Sequence, residues 1–279
     1  MSANRPFVSI LTPTYNRRIF FPALLRCVDM QTYPKNRLEW IILDDGTDSI
    51  QDIVTAAQKK YPYIRYIRSD EKMLIGKKRN ILNAEAKGDI IVAMDDDDYY
   101  PPERIAHAVH SLLGHPKIEL AGASKIYMYF ADNKEVYCIG PYNPNHCTNG
   151  TMAYKRSYAL THKYDETVSM GEEKSYLENY IHPMVQLDPF KTMLVISHSM
   201  NTFDKRNLRT VDNKMFKRTD LKIKNFIRDA KQREFYNGLT ALYTAEQLAR
   251  PTPLTAVEQE KLMKTITPDV SIVPVTVPV

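Results

Sequence analysis

Four consecutive carboxylates, Asp95-Asp96-Asp97-Asp98, stand directly behind the apolar run Ile90-Ile91-Val92-Ala93-Met94. Two unit charges 4 Å apart repel by about 1 kcal/mol in water and about 4 kcal/mol at an effective dielectric of about 20. Four in a row would take a noticeable part of a total stability of roughly 5 to 15 kcal/mol. A divalent cation reverses that sign. Carboxylates with few fixed ligands suit a hard ion such as Mg²⁺ or Mn²⁺, which keeps positions free for substrate phosphates. Capping of a helix at Pro101-Pro102-Glu103 accounts for one or two of these aspartates, but not for four. Three more polar clusters accompany them. Asp44-Asp45-Gly46 is by itself also a common turn. Thr12-Pro13-Thr14-Tyr15 is equally a rigid connection into a helix. Gly76-Lys77-Lys78-Arg79-Asn80 places three cations at a helix amino end, where the dipole disfavours them. A bound anion such as a diphosphate would offset that cost, and a solvated basic turn is the plain alternative.

The elements that must position these residues alternate strand and helix over the first hundred positions, which predicts a mostly parallel sheet with helices on its faces. Strands are expected at residues 7–11, 38–43, 63–67 and 89–94. Helices are expected through Leu24 and Val28, through Ile53 and Ala57, and after Gly76. Such sheets bind ligands beyond the carboxyl ends of their strands. The loop after the first strand, Asp44-Asp45 and the four aspartates all fall there. Residues 119–140 alternate apolar and polar positions around Asp132-Asn133-Lys134, the pattern of an antiparallel hairpin. Residues 151–154 read as a short strand leading into a helix. Beyond residue 205, Phe216, Ile223, Phe226, Ile227 and Ala230 recur at helical spacing, continued by Leu239, Leu242 and Leu248. The last dozen residues alternate apolar side chains with prolines and suit an edge strand or a tail.

The order of these pieces resembles the family-2 glycosyltransferases of the GT-A fold. They run Thr12-Pro13-Thr14-Tyr15-Asn16-Arg17, Gln31-Thr32-Tyr33-Pro34, Glu39-Trp40-Ile41-Ile42-Leu43-Asp44-Asp45-Gly46, Gly76-Lys77-Lys78-Arg79-Asn80, then Met94 with the four aspartates and Pro102. The resemblance is strong over residues 6–105, thinner to about 205 and absent beyond. It implies a Rossmann-like α/β domain over 1–205, with a nucleotide-binding half (1–100) and an acceptor half (101–205). A small antiparallel element belongs to that domain, and a helical extension with a tail fills 206–279. It also implies a sugar nucleotide donor, with a lean towards UDP, and inverting transfer to an acceptor hydroxyl with Mn²⁺ or Mg²⁺. Thr12, Pro13 and Tyr15 would line the base pocket, and Asp45 or Asp44 would accept from the base. Arg79 would sit near the base or diphosphate, Asp95 or Asp96 towards the ribose, and Asp97 on the metal. Gly171-Glu172-Glu173-Lys174 resembles the family's Glu-Asp element, making Glu173, with Glu172 next, the general base. The family usually has Asp there, and Glu reaches one methylene further. His198 matches a position where relatives place a metal- or phosphate-binding histidine.

Composition fits this reading: 43% hydrophobic and 25% charged residues over 279 positions describe a globular chain able to bury a large core. No stretch approaches the roughly 18 apolar residues of a membrane span, and no signal peptide precedes Pro6, so the expected compartment is the cytoplasm. Cys27, Cys138 and Cys147 lack metal-ligand spacing and read as free thiols. The net charge is +5, yet residues 201–234 hold eleven Lys or Arg against five acids. That segment is a solvated helix face, or a surface for an anionic partner such as a membrane, and the extension is also a candidate for pairing two subunits. It is too little to argue nucleic-acid binding. The competing classes are a sugar-nucleotide-forming nucleotidyltransferase, which would want glycines after the first strand, and a non-catalytic nucleotide-sugar-binding protein, favoured only by Glu for Asp at 173.

Overall fold

The structure, a computed structural model, describes residues 5–168, 170–210 and 214–244. Strands β1 (Val8–Thr14) and β2 (Leu38–Asp44) are buried along their whole length. Their sequences run nearly without polar alternation, so both faces must be covered. With β3 (Ile64–Arg68) and β4 (Ile90–Ala93) they form the parallel half of a seven-stranded sheet, ordered β3-β2-β1-β4-β8-β5-β9. Strand β8 (Ala153–Lys155) lies antiparallel between β4 and β5 (Leu120–Gly122), and β9 (Met184–Gln186) pairs parallel with β5.

The two faces of the sheet serve two apolar clusters. Ile10, Trp40, Ile42 and Val92 pack with α1 (Phe21–Asp29), α2 (Gln51–Gln58) and α4 (Arg104–Gly114). Leu11, Ile41, Leu43 and Ile91 pack with α3 (Ile75–Glu85) and α5 (Arg156–Thr161). Each fully buried aliphatic side chain contributes about 1.5–3 kcal/mol. Trp40 is fully buried, stacked on Phe21 with ring centroids 6.0 Å apart, which is the core role its strand predicts. The Gln31 motif also finds a structural reason. Its amide donates to the carbonyls of Cys27 (3.0 Å) and Pro101 (2.8 Å), and its oxygen accepts from the Ile105 amide (3.0 Å) at the start of α4.

A second sheet, ordered β10-β6-β7-β11, packs beside the first. It contains the expected hairpin, β6 (Ile126–Phe130) antiparallel to β7 (Glu135–Ile139), with β10 (Leu194–Ser197) parallel to β6. One sequence expectation is corrected here. Phe216 does not start a helix but sits in β11 (Phe216–Arg218), paired with Ile139 and stacked on Tyr137 at 4.9 Å. The open edge of β7 supplies ladder partners and a ring to pack on, and pairing outweighs helical spacing. The helix begins only at α7 (Ala230–Gly238), where Asp229 caps the Gln232 amide at 2.9 Å.

Residues beyond 206 build no core of their own within the described region. Ile227, Tyr236 and Leu239 belong to the cluster that holds Ile10 and Trp40. Arg26 pairs with Asp229, and the Gln232 amide donates to the Ala23 carbonyl at 3.2 Å. The proline-rich end and Leu248 lie outside the described residues. Among the described residues, no helix is long and apolar enough to cross a membrane, and the three cysteines are free thiols.

Candidate active site

A cavity of about 780 Å³ lies where β1 and β4 end, closed on its other sides by the second sheet and the segment around residue 172. Asp95, Asp96, Asp97 and Asp98 line it together with Pro13, Tyr15, Arg17, Arg79, Glu172 and Glu173. The chain leaves β4 and turns at once, so successive aspartates take different partners. The Asp95 amide donates to Tyr100 Oη at 2.6 Å, and its carboxylate accepts from Arg79 at 3.0 Å. Asp98 turns away to accept the Ile196 amide at 2.7 Å, which fastens the cluster to β10.

Asp97 is held by donors alone. Its Oδ2 accepts from His198 Nε2 at 3.1 Å and Asn201 Nδ2 at 3.2 Å, with Arg17 Nε at 3.6 Å. Burial opposes its charge, but the His198 hydrogen bond and the charges of Lys205 and Arg17 outweigh burial and hold the carboxyl below the usual range. Burial and the Asp97 charge push Asp96 up to about 8, and burial raises Asp98 as well. Two of the four carboxyl groups are thus kept from ionising by burial and by the charge of their neighbours. A divalent cation would relieve that repulsion, and the carboxylate oxygens that reach the cavity fit a hard ion at Asp95 and Asp97. His198 joins this arrangement. Its Nδ1 accepts from the Met200 amide at 3.2 Å, and its Nε2 meets both Asp97 Oδ2 (3.1 Å) and Asn201 Nδ2 (2.9 Å), so the ring stands directly beside the aspartate expected on the metal.

Arg79 joins the two acidic elements. It enters from α3, donates Nε to Glu172 at 2.8 Å and Nη2 to Asp95 at 3.0 Å. With its amide oxygen turned to the guanidinium, Asn149 accepts from Nη1 at 2.6 Å and donates to Tyr164 Oη at 2.7 Å. Glu172 is therefore engaged, whereas Glu173, at the start of α6 (Glu173–Tyr176), faces the cavity. Burial and the adjacent Glu172 charge push the Glu173 carboxyl up to about 8.

The remaining sequence candidates divide between wall and support. Pro13 and Tyr15 line the cavity, and Tyr15 carries Lys72 over its ring at 4.4 Å. Thr12 stands behind them, fully buried, donating to the Met94 carbonyl (2.8 Å) and accepting the Trp40 indole (2.9 Å). Asp44 is consumed by its own turn, accepting from the Gly46 and Ile50 amides at 2.9 and 3.1 Å and from Tyr66 at 2.7 Å. Both Asp45 oxygens are taken, by the Met73 amide and Lys78 Nζ at 2.7 Å each, so it fixes the wall formed by residues 72–75. The three cations of α3 do not share one anion: Lys77 is exposed, Lys78 serves Asp45, and Arg79 serves the acids.

Sequence reasoning missed several wall residues. Lys205 lies in the basic segment read as a solvated face, and that charge surplus was the only signal for it. Asn201 was visible only as a neighbour of His198. His146, sandwiched by Tyr142 (4.5 Å) and Tyr180 (4.7 Å) and pushed down to about 4 by burial, carried no sequence signal.

Comparison with known proteins agrees with this architecture. In the mannosyltransferase PcManGT of Pyrobaculum calidifontis, solved with GDP-Man and Mn²⁺, the fold superposes with a TM-score of 0.58 at 16% identity, over 94% of this chain and 80% of that one. TarS of S. aureus, residues 1–349 with UDP, gives 0.53 at 16% identity, over 92% and 78%. The fold is thus the GT-A type. The profile of "Glycosyl transferase family 2" matches residues 9–211, and the chain belongs to that family. The probable glycosyltransferase YdaM of Bacillus subtilis is 34% identical over 122 residues, which is 42% of this chain and 28% of that protein. A relative in Haemophilus influenzae, an uncharacterized glycosyltransferase, is 32% identical over 111 residues, 40% of this chain and 36% of that protein. The match thus spans well under half the length of these relatives.

Proposed function

We propose that this chain is a glycosyltransferase that moves a sugar from a nucleoside-diphosphate sugar, UDP-linked by preference, to an acceptor hydroxyl with inversion at the anomeric carbon. The observation that carries this reading is the meeting of two acidic elements in one cavity, Asp95–Asp98 after β4 and Glu172–Glu173 before α6, coupled through Arg79. Family membership and neighbours solved with GDP-Man and Mn²⁺ or with UDP support a nucleotide-sugar donor. Asp97 and Asp95 would hold Mn²⁺ or Mg²⁺, and that ion would supply positive charge against a departing diphosphate. His198 and Asn201 keep Asp97 aimed at the cavity. Pro13 and Tyr15 provide the apolar wall for the nucleotide, and Arg17 and Lys205 add positive charge beside the acids.

Glu173 is the group placed to remove the acceptor proton, since Glu172 is spoken for by Arg79. Its raised proton affinity suits a base near neutral pH. The test is nucleoside diphosphate release from a panel of UDP-, GDP- and dTDP-sugars, with and without Mn²⁺, together with donor binding by calorimetry. Metal-dependent binding and release from one donor, abolished by Asp97→Ala in a folded protein, is the expected result. Failure of every donor to bind in the presence of metal would refute the reading.

A further inference from the structure

Away from the aspartates, His162, Glu178 and His182 converge between the end of α5 and the turn after α6. One ring nitrogen from each histidine and a Glu178 oxygen lie within 4.8 Å of one another. His182 Nε2 is 3.0 Å from Glu178 Oε2, and His162 Nε2 is 3.8 Å from Oε1. The other nitrogen of His162 faces two oxygens. Nδ1 lies 3.0 Å from the Tyr158 carbonyl oxygen, an acceptor, and 2.9 Å from Thr161 Oγ1, a hydroxyl that can donate or accept. With the hydrogen on Nδ1 and donated to that carbonyl, Nε2 of the neutral ring offers its lone pair on the side of Glu178. A cation between them, a proton or a metal ion, makes that juxtaposition favourable. A metal-bound histidine has this same anchoring of its distal N–H to a backbone carbonyl.

The surroundings hold the three side chains in place. His162 stacks on Tyr158 at 3.8 Å with an interplanar angle of 3°, and His182 stands edge-on to His162 at 5.1 Å. Glu178 is presented by an unusual turn in which three consecutive non-glycine residues, Glu178, Asn179 and Tyr180, have positive φ (45°, 58° and 64°). Such backbone persists only where surrounding contacts hold it. A Glu178–His182 pair four residues apart would explain one contact. It does not explain the second imidazole, His162, brought to the same carboxylate.

We propose that His162, Glu178 and His182 form a binding site for Zn²⁺. Two imidazoles and a carboxylate suit that borderline ion, with a remaining position for water, whereas the all-oxygen aspartate cluster suits Mg²⁺ or Mn²⁺. The ion ties the end of α5 to residues 178–182. Tyr180 in that turn lines the active-site cavity, and Glu173 lies one short helix upstream, so the clamp braces the segment that carries the acids.

The test titrates metal-stripped full-length protein with Zn²⁺ by calorimetry, in excess Mg²⁺ to fill the oxygen site. Wild type and Asp97→Ala are expected to bind one equivalent alike, while His162→Ala and His182→Ala weaken binding by at least about tenfold. Co²⁺ in place of Zn²⁺ should give visible d–d absorption that both histidine variants lose. Glu178→Gln, which keeps the side-chain volume, provides the same comparison should an alanine variant misfold. The proposal is overturned if wild type binds no Zn²⁺ under these conditions. It is equally overturned if binding survives in both histidine variants, or vanishes in Asp97→Ala.

Discussion

Glu173 shows how a single residue's surroundings set both its chemistry and its cost. A free glutamate side chain titrates near 4.5, and here burial with the Glu172 charge raises that to about 8. The fold therefore favours the protonated form. Glu173's contribution to stability is complete below 4.5, is lost as pH rises through about 8, and changes no further above it. Glu173→Gln should match wild type in stability near pH 4.5 and exceed it at pH 9 by on the order of 2 kcal/mol, read from denaturant midpoints. An equal offset at both pH values would contradict the assignment. If Glu173 is the base, the same variant loses about 100-fold or more in kcat while still binding donor. Wild-type kcat should then rise with pH towards 8, as the carboxylate ionises. A pH-independent kcat between 6 and 9 would exclude Glu173 from that role. The sequence put Glu173 ahead of Glu172 only through the resemblance to the family's Glu-Asp element, because nothing local says that Arg79, 93 residues away, engages the first.

Among the elements, α3 depends on a glycine for reasons of space. A Cβ on Gly76 would lie 2.0 Å from the carbonyl oxygen of Asp165, whose backbone crosses the first turn of the helix. Backbone cannot retreat as a flexible side-chain tip can, so Gly76→Ala should cost about 2 kcal/mol or more. A denaturant midpoint unchanged from wild type would show that the crossing relaxes freely. In the sequence this glycine looked like part of an anion-binding helix start. The strands β1, β2 and β4 were legible because their apolar runs are broken by few polar residues, Ser9 and Glu39 among them. Strand β11 was not, since its three residues owe their conformation to the edge of β7.

At the scale of the whole molecule, residues 214–244 pack into the core of the GT-A domain. Tyr236 donates to the Asp98 carbonyl at 3.2 Å, and β11 closes the second sheet. A chain ended at residue 205 should lose cooperative thermal unfolding, because the cluster around Cys27 and Tyr99 would be laid open. A truncated protein that melts cooperatively with wild-type donor affinity would instead make residues 206–279 a separable appendage.

By itself, the sequence determined the alternation of strands and helices, the family, and the collection of polar clusters at strand ends. Those features are local: apolar periodicity and charge density are written in consecutive residues. Only the tertiary structure decided which members of each cluster face the cavity. Asp44 and Asp45 are adjacent to the site in sequence terms, yet their oxygens are spent on the Ile50 and Met73 amides and on Lys78. His198 meets Asp97 across 101 residues, and His162 meets Glu178 only through a left-handed turn. Hydrogen-bond partners of this kind are fixed by how elements pack, and packing joins positions that the linear chain keeps far apart.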